Sequence, residues 1–301
     1  MNLSGATNAT LADARGRGVI QDDDPTTIPP TRDFNSDGWA DLVWRHRVSG
    51  YNALWYMTGN AMLSTTPFLP TGPDGAEVLA DLNWEIRAVG DFNNDGKPDQ
   101  LWQNQSTGGL GVWLFNNQVR TTTAYLALLS GGYGDPDVNW KVFAAADLNG
   151  DGQLDLVWAN RLSGALRVWH LDGLVQIDSV PLALSTTDTQ WEIVGVADMN
   201  GDQKPDLVWR HYGNGGMATW LLQDTQILST LWLSPDINRD VNWRIVGVVD
   251  MNADGTADLV WQHVGNGQLA VWYMNGTTMT SMNYLQPSTV TDTNWRIVGV
   301  R

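Results

Sequence analysis

The chain has 301 residues and carries 33 Asp and Glu against 17 Lys and Arg, a formal net charge of −16. Charge of this sign repels nucleic-acid phosphates and anionic membranes, so neither is expected as a partner. The sequence contains no cysteine, which excludes disulfides, thiol nucleophiles and zinc–thiolate sites. Its longest apolar runs are about half of what a bilayer-spanning helix needs, so membrane insertion is not expected.

The first segment differs in composition from the rest. Residues 1–24 end in Gly-Val-Ile-Gln-Asp-Asp-Asp, and residues 25–31 (PTTIPPT) predict a Pro/Thr linker. The first stretch resembles the last strands of a Calx-β domain, which typically end in such a run. We therefore expect a Calx-β-like remnant over 1–24, a linker over 25–31 and one domain over 32–301. The chain would then be part of a larger multidomain protein, and no signal peptide is visible in it.

From Asp33 onward the sequence repeats. An Asp-rich loop begins at Asp33 and returns at Asp91, Asp147, Asp198 and Asp250. Each loop runs into an apolar stretch with a Trp, a second Trp follows, and a third precedes every loop from the second onward. All 17 Trp except Trp39 and Trp232 occupy these repeat positions. Periodic units of roughly fifty residues are typical of repeat folds such as propellers.

Within a repeat the pattern predicts four short strands. In the last complete copy they are Trp243–Val248, Leu259–His263, Leu269–Met274 and a weaker strand near Met279–Leu285. Gly and Asn between them tolerate the positive φ that tight hairpins need. No stretch shows a helical period. We predict an all-β fold, a five-bladed β-propeller of four-stranded antiparallel blades.

The two ends of the repeat region predict how the ring closes. The first copy starts at its Asp loop without a preceding strand, whereas the sequence ends in such a strand, Trp295–Val300. This strand is expected to pair with Leu42–His46 and complete the first blade, because an unpaired edge invites aggregation.

The Asp loops predict calcium sites. Positions 1, 3, 5 and 9 carry oxygen side chains and position 7 offers a carbonyl, a donor set that suits a hard cation. About five Ca²⁺, one per blade, are expected, and the alternative is a set of Asx-rich turns without metal. Gln203 replaces the Gly at position 6 of the fourth loop, which is expected to be the weakest. The predicted ligands are Asp33, Asn35, Asp37, Trp39, Asp41, Asp91, Asn93, Asp95, Lys97, Asp99, Asp147, Asn149, Asp151, Gln153, Asp155, Asp198, Asn200, Asp202, Lys204, Asp206, Asp250, Asn252, Asp254, Thr256 and Asp258.

The loop Asp-x-Asn-x-Asp-Gly-x-x-Asp followed by Leu-Val-Trp resembles the FG-GAP/VCBS repeats of integrin-α-type propellers. The full unit is similar to bacterial secreted FG-GAP-like proteins and to propeller lectins. The resemblance implies a calcium loop between the first two strands of each blade and a secreted or cell-surface location of bacterial type.

The face opposite the loops carries a second set of recurrent polar residues, next to Trp at the connections between repeats and at the ends of the second strands. Short polar groups beside an aromatic face suit sugar binding, whereas the alternative is a structural role as turn caps and wedges. The predicted ligand-binding residues are Asp81, Asn83, Trp84, Asp137, Asn139, Trp140, Asp188, Gln190, Trp191, Asp240, Asn242, Trp243, Asp292, Asn294, Trp295, His46, His211 and His263.

These observations predict a non-catalytic, calcium-stabilised extracellular binding or adhesion module that is lectin-like, with an extracellular glycan or a surface protein as partner. The alternative is a structural or protein–protein interaction module of a larger surface protein. A glycosidase-type enzyme is disfavoured because the unrepeated acids show no partnered His, and no enzyme activity is predicted. Those acids are Asp74, Glu77, Asp135, Asp172 and Asp224.

Overall fold

The computed structural model describes residues 32–70, 78–132, 134–183 and 188–299. The predictions made for residues 1–24 and 25–31 lie outside the described residues. Within the described ranges the chain forms strands and turns and no helix. These described ranges therefore contain no helix that is long and apolar enough to cross a membrane. The all-β prediction is confirmed.

The fifth repeat, which we call unit five, shows the basic arrangement. Its strands are numbered by their order in the whole chain: β18 (Trp243–Val249), β19 (Asp258–His263), β20 (Gln268–Asn275) and β21 (Thr278–Thr289). They pair in this order, each antiparallel to the next. The first three match the predicted strands. The fourth is longer than predicted because its mostly exposed Thr, Ser and Asn residues gave no apolar alternation.

Units two and four have the same order of antiparallel strands. Unit two consists of β4 (Trp84–Gly90), β5 (Asp99–Asn104), β6 (Leu110–Asn116) and β7 (Val119–Ala124). Unit four consists of β14 (Trp191–Ala197), β15 (Asp206–His211), β16 (Gly216–Gln223) and β17 (Gln226–Ile237).

Unit three departs from the pattern at its outer side. Its first strands are β8 (Trp140–Ala146), β9 (Asp155–Asn160) and the short β10 (Leu166–Trp169). A separate pair follows, β11 (Leu171–Asp172) with β12 (Val175–Gln176), and β13 (Val180–Pro181) takes the fourth place against β10. The outer strand of this unit is therefore split into fragments.

Unit one is built from both ends of the repeat region. It holds β1 (Leu42–His46), β2 (Asn52–Thr58), β3 (Ala61–Pro67) and, as its first strand, β22 (Trp295–Val298). β22 pairs antiparallel with β1, with Val43 opposite Val298 and His46 opposite Trp295. The predicted pairing of these two segments is confirmed. Gln262 of unit five also holds β22, because its Nε2 donates to the Trp295 carbonyl at 3.0 Å and its Oε1 accepts from the Ile297 amide at 3.2 Å.

The hydrophobic core lies between the units rather than inside each one. Five clusters of buried side chains each combine residues of two units: one with two, two with three, three with four, four with five, and five with one. The first strands β4, β8, β14, β18 and β22 contact one another in the same succession, and β22 contacts β4. The packing therefore runs through all described units and returns to the first.

Tryptophan pairs support the structural role considered for this residue. In each unit the Trp of the second strand is buried and packs on the Trp of the third, with ring centroids 4.3–4.6 Å apart. Tilted aromatic pairs of this kind stabilise a core beyond their buried area. These ten Trp fill space between neighbouring sheets.

Candidate functional site

The ninth residue of each Asp loop ties the loop to its sheet. Asp41 is fully buried; its Oδ2 accepts the Phe34 amide at 2.9 Å and its Oδ1 accepts the Met57 amide of β2 at 3.0 Å. The same two bonds recur at Asp99, Asp155, Asp206 and Asp258. Sequence reasoning assigned these residues only as ligands and missed this structural role, although their spacing before a buried strand recurs five times.

The side chains of the first, third and fifth residues of each loop bond to one another and to the backbone amides of the loop. In the first loop Asp33 accepts the amides of Asp37 and Gly38 at 3.1 and 2.7 Å, and Asn35 Oδ1 accepts that of Asp37 at 3.1 Å. Asn35 Nδ2 donates to Asp37 Oδ2 at 2.8 Å, and Asp37 Oδ1 accepts the Trp39 amide at 3.0 Å. All five loops repeat these bonds with small differences in length.

The sixth loop position requires a left-handed backbone. Gly occupies it in four loops with φ of 82–90°, and Gln203 adopts φ 65° in the fourth. A side chain at positive φ is strained relative to Gly, but the first, second and fifth loops also hold one such residue each, Ser36, Asn94 and Ala253, where the fourth has Gly201. That the fourth loop binds calcium most weakly stays a prediction.

Burial changes the acidity of the ninth residues. Loss of hydration raises the pKa of Asp41, Asp99 and Asp258 to about 7, and that of Asp155 and Asp206 to about 6, against the opposing effect of two amide hydrogen bonds each. The charged form is thus disfavoured when no cation lies nearby. Among the described residues, no three acidic or His side chains form a group that could hold a metal ion by themselves.

The predicted ligand-binding residues on the opposite side bond to one another. His46, His211 and His263 each direct Nε2 to the aspartate of a connecting turn, Asp292, Asp188 and Asp240, at 3.0, 2.9 and 3.2 Å. In unit three Asn160 Nδ2 donates to Asp137 at 3.2 Å. The two features that were predicted separately are therefore brought together.

The remaining atoms of these residues are used within the turns. Each His Nδ1 accepts a backbone amide two or three residues on, at 3.0–3.1 Å, which assigns the proton to Nε2. The turn aspartates accept the amide of the residue two positions later, for example Asn83 to Asp81 at 3.0 Å, and the adjacent Trp meets the His edge to face. This geometry supports the alternative that these residues recur because they stabilise the turns.

One conclusion about the unrepeated acids is wrong. Asp224 does have a His partner, because His170 lies between Asp178 and Asp224 with nitrogen–oxygen distances of 2.7 and 3.0 Å. Asp135 is also paired, with the Arg167 guanidinium. Sequence reasoning missed both because the other units do not carry His or Arg at the positions that match His170 and Arg167.

A cavity of about 420 Å³ lies against the first strands of units one, two, four and five. Five arginines and two glutamates line it, with Tyr212 and several aliphatic side chains. Sequence analysis did not single out these residues. Their signal is a charged or polar residue directly after the Trp that opens a first strand, as in Glu85, Glu192, Arg244 and Arg296.

The repeats match the model of the FG-GAP-like repeat over residues 33–102, 91–158 and 147–209. These segments span more than half of the chain, which belongs to this family. The resemblance to FG-GAP repeats is confirmed, whereas the comparisons give no support for a Calx-β segment. No curated protein matches the chain.

Solved structures show a distant likeness. A Bacteroides caccae protein of unknown function has a TM-score of 0.40 at 8% identity, covering 81% of this chain and 72% of its own. The periplasmic gluconolactonase of Pseudomonas aeruginosa has 0.40 at 12%, covering 88% and 71%. The dihydro-heme d1 dehydrogenase NirN has 0.36 at 14%, covering 80% and 53%.

Two of these neighbours are named for enzymes, and this contradicts the prediction of a non-catalytic, lectin-like adhesion module without enzyme activity. We correct that prediction and do not retain it. At these TM-scores the likeness assigns no activity to this chain.

Proposed function

We propose that this chain is a calcium-binding β-propeller of five blades, closed into a ring by the pairing of β22 with β1. The five groups of four antiparallel strands support the blade count. The shared clusters between successive units, including five with one, support the ring. The pairing covers the edge that β1 would otherwise expose.

Five calcium ions, one in each Asp loop, form the second part of the proposal. The carboxylate oxygens of positions 1 and 5, the amide oxygen of position 3 and the carbonyl of position 7 are hard donors of the kind that Ca²⁺ prefers. Each of these oxygens has two lone pairs, so hydrogen bonds to loop amides leave acceptor capacity for a cation.

The observation that carries this proposal is the buried ninth aspartate of every loop. A carboxylate without solvent or a counter-ion is costly to ionise, and its raised pKa expresses that cost. A divalent cation in the loop would lower this pKa and stabilise the folded chain. The combined charge of five such ions, +10, would also offset part of the formal net charge of −16. Calcium-binding modules outside cells work at dissociation constants of about 10⁻⁴–10⁻³ M, and we propose a secreted or cell-surface location for this one.

Calcium binding is tested by calorimetric titration and by melting with Ca²⁺, Mg²⁺ or excess chelator. We expect about five sites and a higher melting temperature with Ca²⁺, because ions that bind only the folded loops stabilise the native state. Asp95→Ala should remove one site, whereas Asp172→Ala, an exposed acid outside the loops, should remove none. An unchanged melting curve in excess chelator would contradict structural calcium.

Ring closure is tested by deleting residues 295–301. The truncated chain should expose the edge of β1, lose the contacts of Gln262 and aggregate or unfold. A truncated chain as stable as the full one would show that the ring is not closed by this strand.

A further inference from the structure

The cavity beside the first strands has a charge opposite to that of the chain. Five arginines against two glutamates line it, although the chain carries a net −16. Lys141 and Arg161 lie at its margin, because the Lys141 Nζ and the Arg87 guanidinium both bond Gln105, and Arg161 lies 4.0 Å from Glu192. Seven of the 17 basic residues are thus gathered at one place. We call this region the cationic cavity.

Among the arginines that line the cationic cavity, Arg45 donates to the carbonyls of Gly50 and Leu79 and to Asn52. Three others are not neutralised by the protein. Glu85 pairs with Arg87 at 3.1 Å, and Glu192 approaches Arg161. Within the part of the chain that the structure describes, Arg47, Arg244 and Arg296 form no ion pair. A ligand with negative charge would therefore find uncompensated guanidinium groups here.

Two of these three are held in place. The Arg244 guanidinium lies 3.7 Å from the centre of the Tyr212 ring. Arg296 donates to the carbonyls of Thr293, Trp295 and Val264, the last two at 3.0 and 3.2 Å. Fixed guanidinium groups lose little freedom when they bind an oxyanion, which favours binding.

Each basic group of the cationic cavity also makes its basic neighbours harder to protonate. Burial lowers the pKa of Lys141 to about 8, and the neighbouring Arg87 and Arg161 contribute to this shift. The pKa of Arg296 is lowered by burial and by Arg47. An anion between these groups would relieve both effects.

We propose that the cationic cavity binds a small organic anion that also carries hydroxyl groups. Its carboxylate or phosphate would be held by Arg47, Arg244 and Arg296, because guanidinium groups match the geometry of oxyanions. Its hydroxyls would donate to Glu85 and Glu192. These are the only glutamates among the described residues, and both lie at this cavity.

The size of the cavity and the net charge of the protein favour this class of ligand. The volume of about 420 Å³ lies within the range of small-molecule sites. A long polyanion such as a nucleic acid would meet the negative charge of the surrounding surface, whereas a small anion is enclosed by the cavity walls.

The test is calorimetric titration of the full chain in calcium-containing buffer with three probes: D-glucuronate, D-glucose 6-phosphate and neutral D-glucose. We expect one or both anions to bind and glucose not to bind, and the stronger anion identifies the group that is recognised. Arg47→Ala and Arg244→Ala should each weaken that binding about tenfold or more, because each removes a charged hydrogen bond.

The control is Arg239→Ala, which makes the same change of net charge at an exposed residue outside the cavity and should leave binding unchanged. Arg47 is exposed and its removal should not affect folding, which keeps the test usable if Arg244→Ala is unstable. The proposal is overturned if neither anion binds at millimolar concentration, if glucose binds equally well, or if Arg239→Ala weakens binding as much as Arg47→Ala.

Discussion

Units three and five solve the same packing problem with different side chains. In unit five Gln262 follows the buried Trp of the second strand, and the small Ala270 faces that Trp from the third strand. In unit three both positions differ, because Ala159 follows Trp158 and Arg167 faces it. Successive strand residues point to opposite faces of a sheet, so Arg167 lies with Trp158 on the side of unit two, whereas Ala159 packs on the side of unit four.

Arg167 brings charge into unit three. The Arg167 guanidinium packs over Trp140, Trp158 and Trp169 at 4.0, 5.1 and 5.0 Å and pairs with Asp135. His170 reaches Asp224 of unit four, where the other units carry Tyr or Leu at the matching position. Side-chain ion pairs hold the outer part of unit three, where unit five has the long strand β21. The loop side, by contrast, is the same in both units.

The largest effect is expected at the feature that the two units share. Asp155→Ala and Asp258→Ala each leave two buried amides without an acceptor, and each should cost about 3 kcal/mol or more of unfolding free energy in calcium-containing buffer. Urea denaturation measures both, with Asp172→Ala as the control. A large loss in one unit and none in the other would contradict a common loop framework.

An intermediate effect is expected at Arg167, which unit five replaces with Ala270. Arg167→Ala removes a mostly buried guanidinium and leaves Asp135 without its partner, so it should cost about 2–3 kcal/mol. Urea denaturation of Arg167→Ala, beside Arg239→Ala, measures it. A loss no larger than that of Arg239→Ala would show that the pair of Arg167 with Asp135 does not stabilise unit three.

The smallest effect concerns pH. Burial lowers the pKa of His170, but Asp155, Asp178 and Asp224 together outweigh it and raise the pKa above 6.5. The stability that this group contributes is therefore fully present below about pH 6.5 and is lost as pH rises through the raised value. Between pH 6 and 9 the stability of the wild type should therefore fall more than that of His170→Gln. His263→Gln is the comparison in unit five, and equal slopes for wild type and His170→Gln would contradict the prediction.

The sequence analysis was most accurate where the repeat is regular. The inner three strands carry β-branched and Trp residues at fixed spacing, so their position and even the pairing of β22 with β1 could be predicted. The outer strands β17 and β21 could not be bounded, because a strand exposed on most of its length has no apolar alternation.

The sites were predictable to a different extent. The Asp loops recur with their spacing and were found at once, whereas the cationic cavity was not. Its residues lie about fifty positions apart and differ in charge from unit to unit, Glu85 and Glu192 against Arg244 and Arg296. Only the packing of first strands from several units brings them together. His170 and Asp224 were missed for the same reason.

The sharing of every hydrophobic cluster between two units has a consequence for how the chain reaches its native state. No unit has an interior of its own, so a single repeat excised from the chain should stay unfolded, and loss of one unit removes two interfaces at once. The sheet of unit one is also incomplete until β22 has been synthesised, some 250 residues after its partner β1. Contacts of such long range slow folding. During synthesis the edge of β1 therefore remains exposed longest, and this is the stage at which the nascent protein is most open to aggregation or to a chaperone.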